Sequence, residues 1–144
     1  MKIRELMTPD VEIVQPDDTL HTAAKMMADL DAGVLPVGEN DKLVGMITDR
    51  DITIRAVAQG RDPDTTKVRD AMSEQIRFCF EDEDTREVSR KMSEWAVRRL
   101  PVLNRDKRLV GIVSLGDLAT GGAEEESQKA LEEISDAPPD KRRI

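Results

Sequence analysis

The sequence predicts a mixed α/β (α+β) protein built from two β-α-β-β-α repeats. The chain repeats itself at an offset of 65 or 66 residues, so that Leu-Pro-Val at residues 35–37 returns at residues 100–102. Within each copy, short apolar stretches alternate with stretches of helical spacing. Because each copy is too small to bury a full core alone, we expect the repeats to pack sheet against sheet about a pseudo-twofold axis.

The repeat extends well beyond this tripeptide and keeps its order along the chain. Residues 3–8 return as residues 68–73, and residues 43–48 return as residues 109–114. Chance matches do not keep one order and spacing over a whole unit. The predicted domains are a first repeat at 3–60, a polar linker at 61–67, a second repeat at 68–120, and an acidic C-terminal tail at 121–144 that is partly helical or disordered.

Each repeat is predicted to open with a short apolar strand and an amphipathic helix. The strands are residues 11–14 and 76–80, and Asp-Thr pairs at residues 18–19 and 84–85 supply the helix caps. The apolar positions that follow each pair have helical spacing. They are Leu20, Ala23, Ala24, Met27 and Leu30 in the first repeat, and Val88, Met92, Trp95 and Ala96 in the second.

The second half of each repeat is predicted to be a hairpin followed by a helix. Polar turn residues at 39–42 and at 104–107 separate two apolar stretches in each copy. The second strand of each hairpin ends at a hydroxyl residue, Thr48 or Ser114. We expect the last helix to begin at about Asp49 in the first repeat and at about Leu115 in the second.

Composition excludes several classes of function. The 144 residues include 30 acidic and 22 basic side chains, so the net charge is −8, and broad attraction to nucleic acid or to an anionic membrane is not expected. One histidine and one cysteine exclude a multi-histidine zinc site, a disulfide framework and a two-cysteine redox pair within one chain. No apolar run approaches the roughly 20 residues of a membrane span, and none follows Met1. We therefore expect a cytoplasmic location.

The charge is unevenly distributed along the chain. Residues 1–66 carry 7 basic and 13 acidic side chains, a net charge of −6, whereas residues 67–120 carry 11 and 10, a net charge of +1. The second repeat is therefore the better neighbourhood for an anion.

The repeated Leu-Pro-Val, followed by Leu-Val-Gly, two hydrophobic residues and Thr/Ser-x-x-Asp, resembles the signature of the cystathionine-β-synthase-type (CBS) domain family. Two such units in tandem resemble a Bateman module, and residues 45–52 are similar to small stand-alone bacterial proteins of the hypoxic-response type. The resemblance implies a non-catalytic regulatory module, in which AMP, ADP, ATP or S-adenosylmethionine binds in clefts between the repeats as a regulatory ligand and no cofactor is required. It also implies a disc-like homodimer that signals to another protein, whose identity is unknown.

The same resemblance implies the ligand-binding residues. Asp51 and Asp117 would hold the ribose hydroxyls, and Thr48 and Ser114 would hold phosphate, helped by free backbone N–H groups where the last helix of each repeat begins. The remaining residues that the resemblance implies are Arg98 and Arg99 as phosphate donors, Met46 and Ile112 against the adenine, Ala32 and Val97 at the border of its pocket, and Gly33 at the position that matches Arg98.

Because the first repeat has Gly33 and Val34 where the second has Arg98 and Arg99, we expect unequal sites, with at most one binding a phosphorylated nucleotide tightly.

Simpler readings stand beside these roles. Asp51 serves equally well as a helix cap, and the arginine pair as a solvated basic face. Cys79, between two phenylalanines, is read as a small buried hydrophobe rather than a reactive thiol. His21 is read as a surface or packed histidine, because no catalytic partner is visible. The alternative function is a structural, dimeric interaction module with vestigial clefts and a stress-related role.

Overall fold

The structure, a computed structural model, describes residues 1–120, 128 and 130–134. These residues form two compact units. The repeat-1 unit comprises Glu12–Ile76, and the repeat-2 unit comprises Met1–Val11 together with the described residues from Arg77 onward. The chain therefore passes from one unit to the other after Val11 and again after Ile76.

The helices and strands are those of two β-α-β-β-α repeats, which confirms the predicted fold class. In chain order they are β1 (Thr8–Pro9), α1 (Leu20–Leu30), β2 (Val34–Glu39), β3 (Lys42–Thr48), α2 (Asp49–Arg55), β4 (Cys79–Phe80), α3 (Thr85–Trp95), β5 (Arg99–Leu103), β6 (Leu109–Ser114) and α4 (Leu115–Thr120). The predicted caps begin the long helices: the Thr19 hydroxyl accepts the Thr22 N–H, and the Asp84 carboxylate accepts the Arg86 N–H.

Each unit contains its own sheet built around an antiparallel hairpin. In the repeat-1 unit the hairpin is β2–β3, whose two turn residues Asn40 and Asp41 both have positive φ, as a type I′ turn requires. In the repeat-2 unit the strand order is β1-β6-β5-β4, with β5–β6 antiparallel and β4–β5 parallel.

Each repeat begins with a short leading segment, residues 3–9 in the first repeat and residues 68–73 in the second. This segment completes the sheet that contains the other repeat's hairpin. In the repeat-2 unit, β1 pairs with β6 and sets Thr8 opposite Ile112. In the repeat-1 unit, Ser73 and Met46 exchange both backbone hydrogen bonds, at 3.0 and 2.8 Å. Only the leading segment therefore packs in the unit of the other repeat's hairpin, whereas α1 and α3 pack with the hairpin of their own repeat.

The glycine of each Leu-Val-Gly sequence is explained by this pairing. A Cβ on Gly111 would lie 2.7 Å from Met7 Sδ and 2.8 Å from the Thr8 carbonyl oxygen. A Cβ on Gly45 would lie 2.8 Å from the Ser73 carbonyl oxygen. Real Cβ atoms do not approach backbone so closely, so only glycine lets the leading segment reach its sheet.

The strand predicted at residues 11–14 is reduced to one bridge in the structure. Val14 donates its N–H to the Pro36 carbonyl and accepts the Gly38 N–H. The next donor of a parallel ladder would be residue 16, which is a proline without an N–H. In the second repeat the matching residue is Glu81, whose N–H does bond to the Leu103 carbonyl.

Each unit has its own apolar core. In the repeat-1 unit, Leu20, Ala23 and Met27 of α1 pack with the buried residues of β2, β3 and α2. In the repeat-2 unit, the apolar face of α3 packs on β5 and β6. The helical spacing read in the sequence accounts for these residues, but Ala24 and Leu30, which share that spacing in α1, are exposed.

Part of the acidic tail contributes to the core of the repeat-2 unit. Gln128 and residues 130–134 are helical, and Ala130 and Ile134, four residues apart, are 1% and 2% exposed. Both belong to the core cluster of that unit. The rest of the predicted tail, residues 121–127, 129 and 135–144, lies outside the described residues. Over the described part of the chain, no helix is both long and apolar enough to cross a membrane.

We expect Gly111→Ala to lower the free energy of unfolding by about 1–3 kcal/mol, because the added methyl group forces β1 away from β6. Urea denaturation followed by circular dichroism measures the change. The control is Gly116→Ala, whose Cβ would lie 3.5 Å from Ser114 Oγ, an ordinary contact. That variant should be neutral or more stable by up to about 1 kcal/mol. A Gly111→Ala chain that unfolds at the urea concentration of the wild type would contradict the close-approach argument.

Candidate functional site

The candidate site in each unit is the junction where the hairpin ends and a short helix begins. At the β3–α2 junction, Thr48 Oγ1 accepts the Asp51 N–H at 3.0 Å, and Asp51 Oδ2 accepts the Thr48 N–H at 3.0 Å. This reciprocal pair is a capping box. One of the two carboxylate oxygens of Asp51 therefore caps the helix, which is the simpler role that the sequence offered for this residue.

The β6–α4 junction repeats this geometry. Asp117 Oδ2 accepts the Ser114 N–H at 2.9 Å, and Ser114 Oγ accepts the Asp117 N–H at 3.1 Å. In each box the hydroxyl hydrogen and the second carboxylate oxygen are not used by the cap. Capping thus leaves a donor and an acceptor side by side, which suits a ligand that carries both phosphate and hydroxyl groups.

The second oxygen of Asp51 has a cationic neighbour. Arg55 Nε lies 3.9 Å from Asp51 Oδ1, and the Asp51 side chain is 13% exposed. The guanidinium also donates to the Ala71 and Met72 carbonyl oxygens, at 3.1 and 3.0 Å. Arg55 thereby links α2 to the leading segment that completes the sheet of this unit.

The hairpin register sets which side chain lies beside each hydroxyl. Arg99 is opposite Ser114 in β5–β6, and Val34 is opposite Thr48 in β2–β3. Side chains opposite each other in an antiparallel pair stand on one face, with Cβ atoms about 5 Å apart. Arg99 is exposed, whereas Val34 is buried. The two junctions therefore offer different chemistry, as the sequence predicts.

The residues that precede the hairpins are also equivalent. The Gly33 carbonyl accepts the Asp49 N–H at 2.9 Å, and the Arg98 carbonyl accepts the Leu115 N–H at 3.0 Å. The Arg98 side chain is exposed. Arg98 and Arg99, consecutive in the chain, are thus both exposed residues whose backbones adjoin the β6–α4 junction.

The four residues predicted to surround an adenine differ in exposure. Met46 and Val97 are each 2% exposed, whereas Ala32 and Ile112 are partly exposed. Ala32 and Val97 follow the left-handed residues that end α1 and α3, and both donate their N–H to the last turn of those helices. All four lie on the elements that form the junctions, and their contacts with a ligand stay a prediction.

Sequence reasoning missed the role of Asp49. Its Oδ1 accepts the Arg50 N–H at 2.8 Å, and a Cβ on Gly33 would lie 3.1 Å from its Oδ2. At the start of α2, the N–H groups of Asp49, Arg50 and Asp51 are therefore bound to Gly33, Asp49 and Thr48 respectively. The expectation of free N–H groups at this helix start is wrong, because the carboxylate that begins the helix takes one of them. The signal was available: an acidic residue directly follows the Thr cap in Thr-Asp-Arg-Asp.

The β6–α4 junction has no such carboxylate. Leu115 and Gly116 take the places of Asp49 and Arg50, and Leu115 is buried. The Gly116 N–H has no hydrogen-bond partner among the residues that the structure describes. This junction therefore presents a backbone donor and a hydroxyl group, with the exposed Arg98 and Arg99 on the adjoining residues of the hairpin.

Cys79 and His21 are not part of either junction. Cys79 is fully buried in β4, and burial, with Glu83 second, raises the pKa of its thiol to about 12. His21 lies exposed at the start of α1, where its Nδ1 is 2.6 Å from Asp64 Oδ1. Over the described residues, no group of three or more His, Cys, Asp or Glu side chains could hold a metal ion.

Comparison with known proteins identifies the repeats. The family model of the CBS domain matches residues 3–57 and again residues 68–123. Hypoxic response protein 1 of Mycobacterium tuberculosis (strain ATCC 25618 / H37Rv) is 39% identical over 117 residues, which cover 81% of each chain.

Solved structures share the fold. A crystal structure of Hypoxic Response Protein I with two coordinated zinc ions superposes with a TM-score of 0.76 at 38% identity, covering 83% of this chain and 98% of that one. The CBS domain pair of protein MJ0100, in complex with 5′-methylthioadenosine and S-adenosyl-L-methionine, gives a TM-score of 0.73 at 25% identity and covers 87% and 98% of the two chains. The similarity to small CBS-pair proteins of the hypoxic-response type, read from the sequence, is confirmed.

We expect Cys79 to be inert in the folded chain. Because its pKa rises from 9.0 to about 12 on folding, the unfolded chain loses this proton first as the pH rises. The stability contributed by the protonated thiol is thus present below pH 9 and lost between about pH 9 and 12. At pH 8, Ellman's reagent should react at least about a hundredfold more slowly with the folded than with the urea-unfolded chain. Equal rates would contradict the burial, and Cys79→Ala should weaken the alkaline loss of stability.

Proposed function

Since the chain belongs to the CBS domain family, we propose that it is a non-catalytic regulatory module that binds an adenosine nucleotide of the AMP, ADP or ATP class and signals to a partner protein. The nucleotide binds at the β6–α4 junction of the repeat-2 unit. We include a cytoplasmic location in the proposal, because the sequence carries a single cysteine and no apolar run of membrane-spanning length.

The observation that carries the proposal is the register of β5–β6. It sets the exposed Arg99 on the same sheet face as the Ser114 hydroxyl, with Arg98 next along the chain. Guanidinium groups bind phosphate through paired, charge-assisted hydrogen bonds. The hydroxyl of Ser114 accepts one hydrogen bond in the cap and keeps its own hydrogen for a phosphate oxygen.

The ribose is assigned to Asp117. One of its carboxylate oxygens holds the Ser114 N–H, and the other is available for ribose hydroxyl groups. The comparison supports an adenosine compound as the ligand class, because MJ0100 binds two of them through a CBS domain pair. The higher basic content of the second repeat favours a ligand that carries phosphate.

Signalling follows because Ser114 and Asp117 would both cap α4 and bind the ligand. Ser114 and Asp117 hold the start of α4, whose Leu115 and Leu118 are buried in the core of the repeat-2 unit. A ligand bound to the same two side chains would bias the position of α4. The ligand therefore alters a protein surface without any bond being made or broken in the ligand.

A second candidate function is a dimeric interaction module whose junctions bind no ligand. One observation favours dimerisation in either case: Ile54 on α2 and Val57, three residues on, are 47% and 61% exposed. Large apolar side chains that are exposed close together in the chain indicate a contact with another protein. We propose a second copy of this chain as that protein, as the family resemblance implies.

We expect calorimetric titration of AMP to show binding to the wild type that depends on Arg99. Arg99→Val, which installs the residue of the first repeat at the same register position, removes a charge-assisted hydrogen bond and should weaken AMP binding by about tenfold or more. Adenosine, which lacks the phosphate, should bind equally to both chains. Asp117→Asn keeps an oxygen for the cap but should weaken the binding of AMP and of adenosine alike.

The control is Arg90→Ala, which removes an exposed arginine of α3 and should leave AMP binding unchanged. If AMP, ADP and ATP all fail to bind the wild type at millimolar concentration, the nucleotide function is wrong and the interaction module is favoured. If AMP binds and Arg99→Val does not weaken it, the assigned site is wrong.

We expect light scattering to give twice the mass of one chain, and Val57→Asp to shift the protein toward the monomer, because a buried charge opposes the apolar contact. Ala24→Asp, which adds the same charge on the exposed side of α1, should leave the mass unchanged. A wild-type chain that is monomeric at all concentrations would contradict the dimer.

A further inference from the structure

We infer that Asp49 selects the charge of the ligand at the β3–α2 junction, so that the repeat-1 unit takes an adenosine compound whose 5′ group is neutral or cationic and disfavours a phosphate. This inference rests on the proposed function and names the ligand class of the second, unassigned junction. The two repeats of one chain would then recognise different classes of adenosine compound.

The exposed carboxylate of Asp49 is oriented by one backbone hydrogen bond at the start of α2. Oδ1 accepts the Arg50 N–H at 2.8 Å, and the backbone N–H of Asp49 bonds to the Gly33 carbonyl at 2.9 Å. The carboxylate covers Gly33 closely enough that a Cβ there would lie 3.1 Å from Oδ2. The carboxylate of Asp49 therefore lies directly beside the place that a side chain at position 33 would take.

The other repeat reverses the charge at the same place. Arg98 is the equivalent of Gly33, because each carbonyl accepts the N–H of the first residue of the helix, Leu115 or Asp49. In the repeat-2 unit this place therefore carries the side chain of an arginine, and the residue that begins the helix is an uncharged leucine. A 5′ group bound beside the capping box would meet cations in one unit and an anion in the other.

Other charged groups at the β3–α2 junction do not cancel this anion. Arg55 lies 3.9 Å from Asp51 Oδ1 and is held by two carbonyl oxygens of the leading segment, so it balances Asp51. Arg50 is exposed, and its backbone N–H is bound to Asp49. No cationic side chain forms an ion pair with Asp49 among the described residues. A phosphate contact by the exposed Arg50 side chain would reverse the preference, and the comparison of AMP with a neutral analogue detects it.

The remaining groups suit the uncharged part of the same ligand. Thr48 and Asp51 repeat the donor and acceptor arrangement of Ser114 and Asp117. Val34, opposite Thr48, supplies an apolar side chain where the second repeat has Arg99. An apolar thioether or a sulfonium group at the ribose 5′ position fits these neighbours, whereas a phosphate would be repelled by Asp49 at a cost of roughly tenfold or more in affinity.

The test compares AMP with 5′-methylthioadenosine, which has the same nucleoside and a neutral 5′ group. Calorimetry uses the full chain with Asp117→Asn, which weakens the binding of every adenosine compound at the β6–α4 junction, or with Asp117→Ser if the first background does not fold. In this background 5′-methylthioadenosine should bind at least about tenfold more tightly than AMP. Adding Asp49→Asn keeps a side-chain oxygen that accepts the Arg50 N–H. This change should tighten AMP binding by about tenfold and change the affinity for 5′-methylthioadenosine by less than about twofold.

Asp29→Asn, which removes another exposed carboxylate of the repeat-1 unit, is the matched control and should change neither affinity. The gain for AMP should shrink at high salt, because an exposed charge is screened. AMP binding as tight as that of 5′-methylthioadenosine, no response to Asp49→Asn, or no binding of 5′-methylthioadenosine would each overturn the inference. The proposed function fails separately, when the wild-type chain binds no nucleotide at all.

Discussion

The close approach between each leading segment and a glycine of the opposite hairpin is the constraint on which each unit depends. The carbonyl oxygens of Ser73 and Thr8 lie where a side chain on Gly45 or Gly111 would have to be. This approach lets the leading segment hydrogen bond to the last strand of the hairpin, which ends at the candidate site. In the repeat-1 unit Arg55 extends the link, because its guanidinium joins the Ala71 and Met72 carbonyls of that segment to Asp51 of α2.

The capping box gives each junction both a structural and a chemical role. A Thr or Ser and an Asp satisfy each other's backbone N–H groups, which fixes the first turn of the helix that follows each hairpin. The same arrangement leaves one hydroxyl hydrogen and one carboxylate oxygen without a role in the cap. Because folding already fixes the geometry of these groups, a ligand would lose little affinity to side-chain ordering. The helix-cap and ligand-binding readings of these residues are therefore compatible.

Much of the fold could be predicted from the sequence, because its signals are local. The caps at Thr19 and Asp84, the helical spacing and the two hairpins agree with the structure. The exchange of leading segments could not be predicted, because a repeat offset is the same whichever copy a segment packs against. The loss of the strand predicted at residues 11–14 could not be predicted either. Only the register of the parallel pairing shows that the next hydrogen-bond donor would be residue 16, which is a proline without an N–H.

The candidate site was predictable in its repeated part and less so where the repeats differ. A motif that occurs twice indicates Thr48, Asp51, Ser114 and Asp117, and the arginine pair is visible as a departure from symmetry. Asp49 escaped notice because an acidic residue at a helix start has a sufficient local reason to be there. Only the structure brings its carboxylate close to Gly33, sixteen residues earlier in the sequence, at the place where the other repeat has an arginine.

The residues at the two junctions fall into those that the fold needs in both repeats and those that differ between the repeats. The residues that build the capping box and the close approach are the same or nearly the same in both copies, because the fold needs them twice. The residues that differ in charge lie beside the capping box. They are Gly33 against Arg98, and Asp49 against Leu115. Their side chains form no part of the box, although the Asp49 carboxylate accepts the Arg50 N–H. A change there alters the electrostatic potential at the junction while the backbone hydrogen bond between the two positions is kept. One scaffold therefore presents two junctions with the same capping box and with different charged residues beside it.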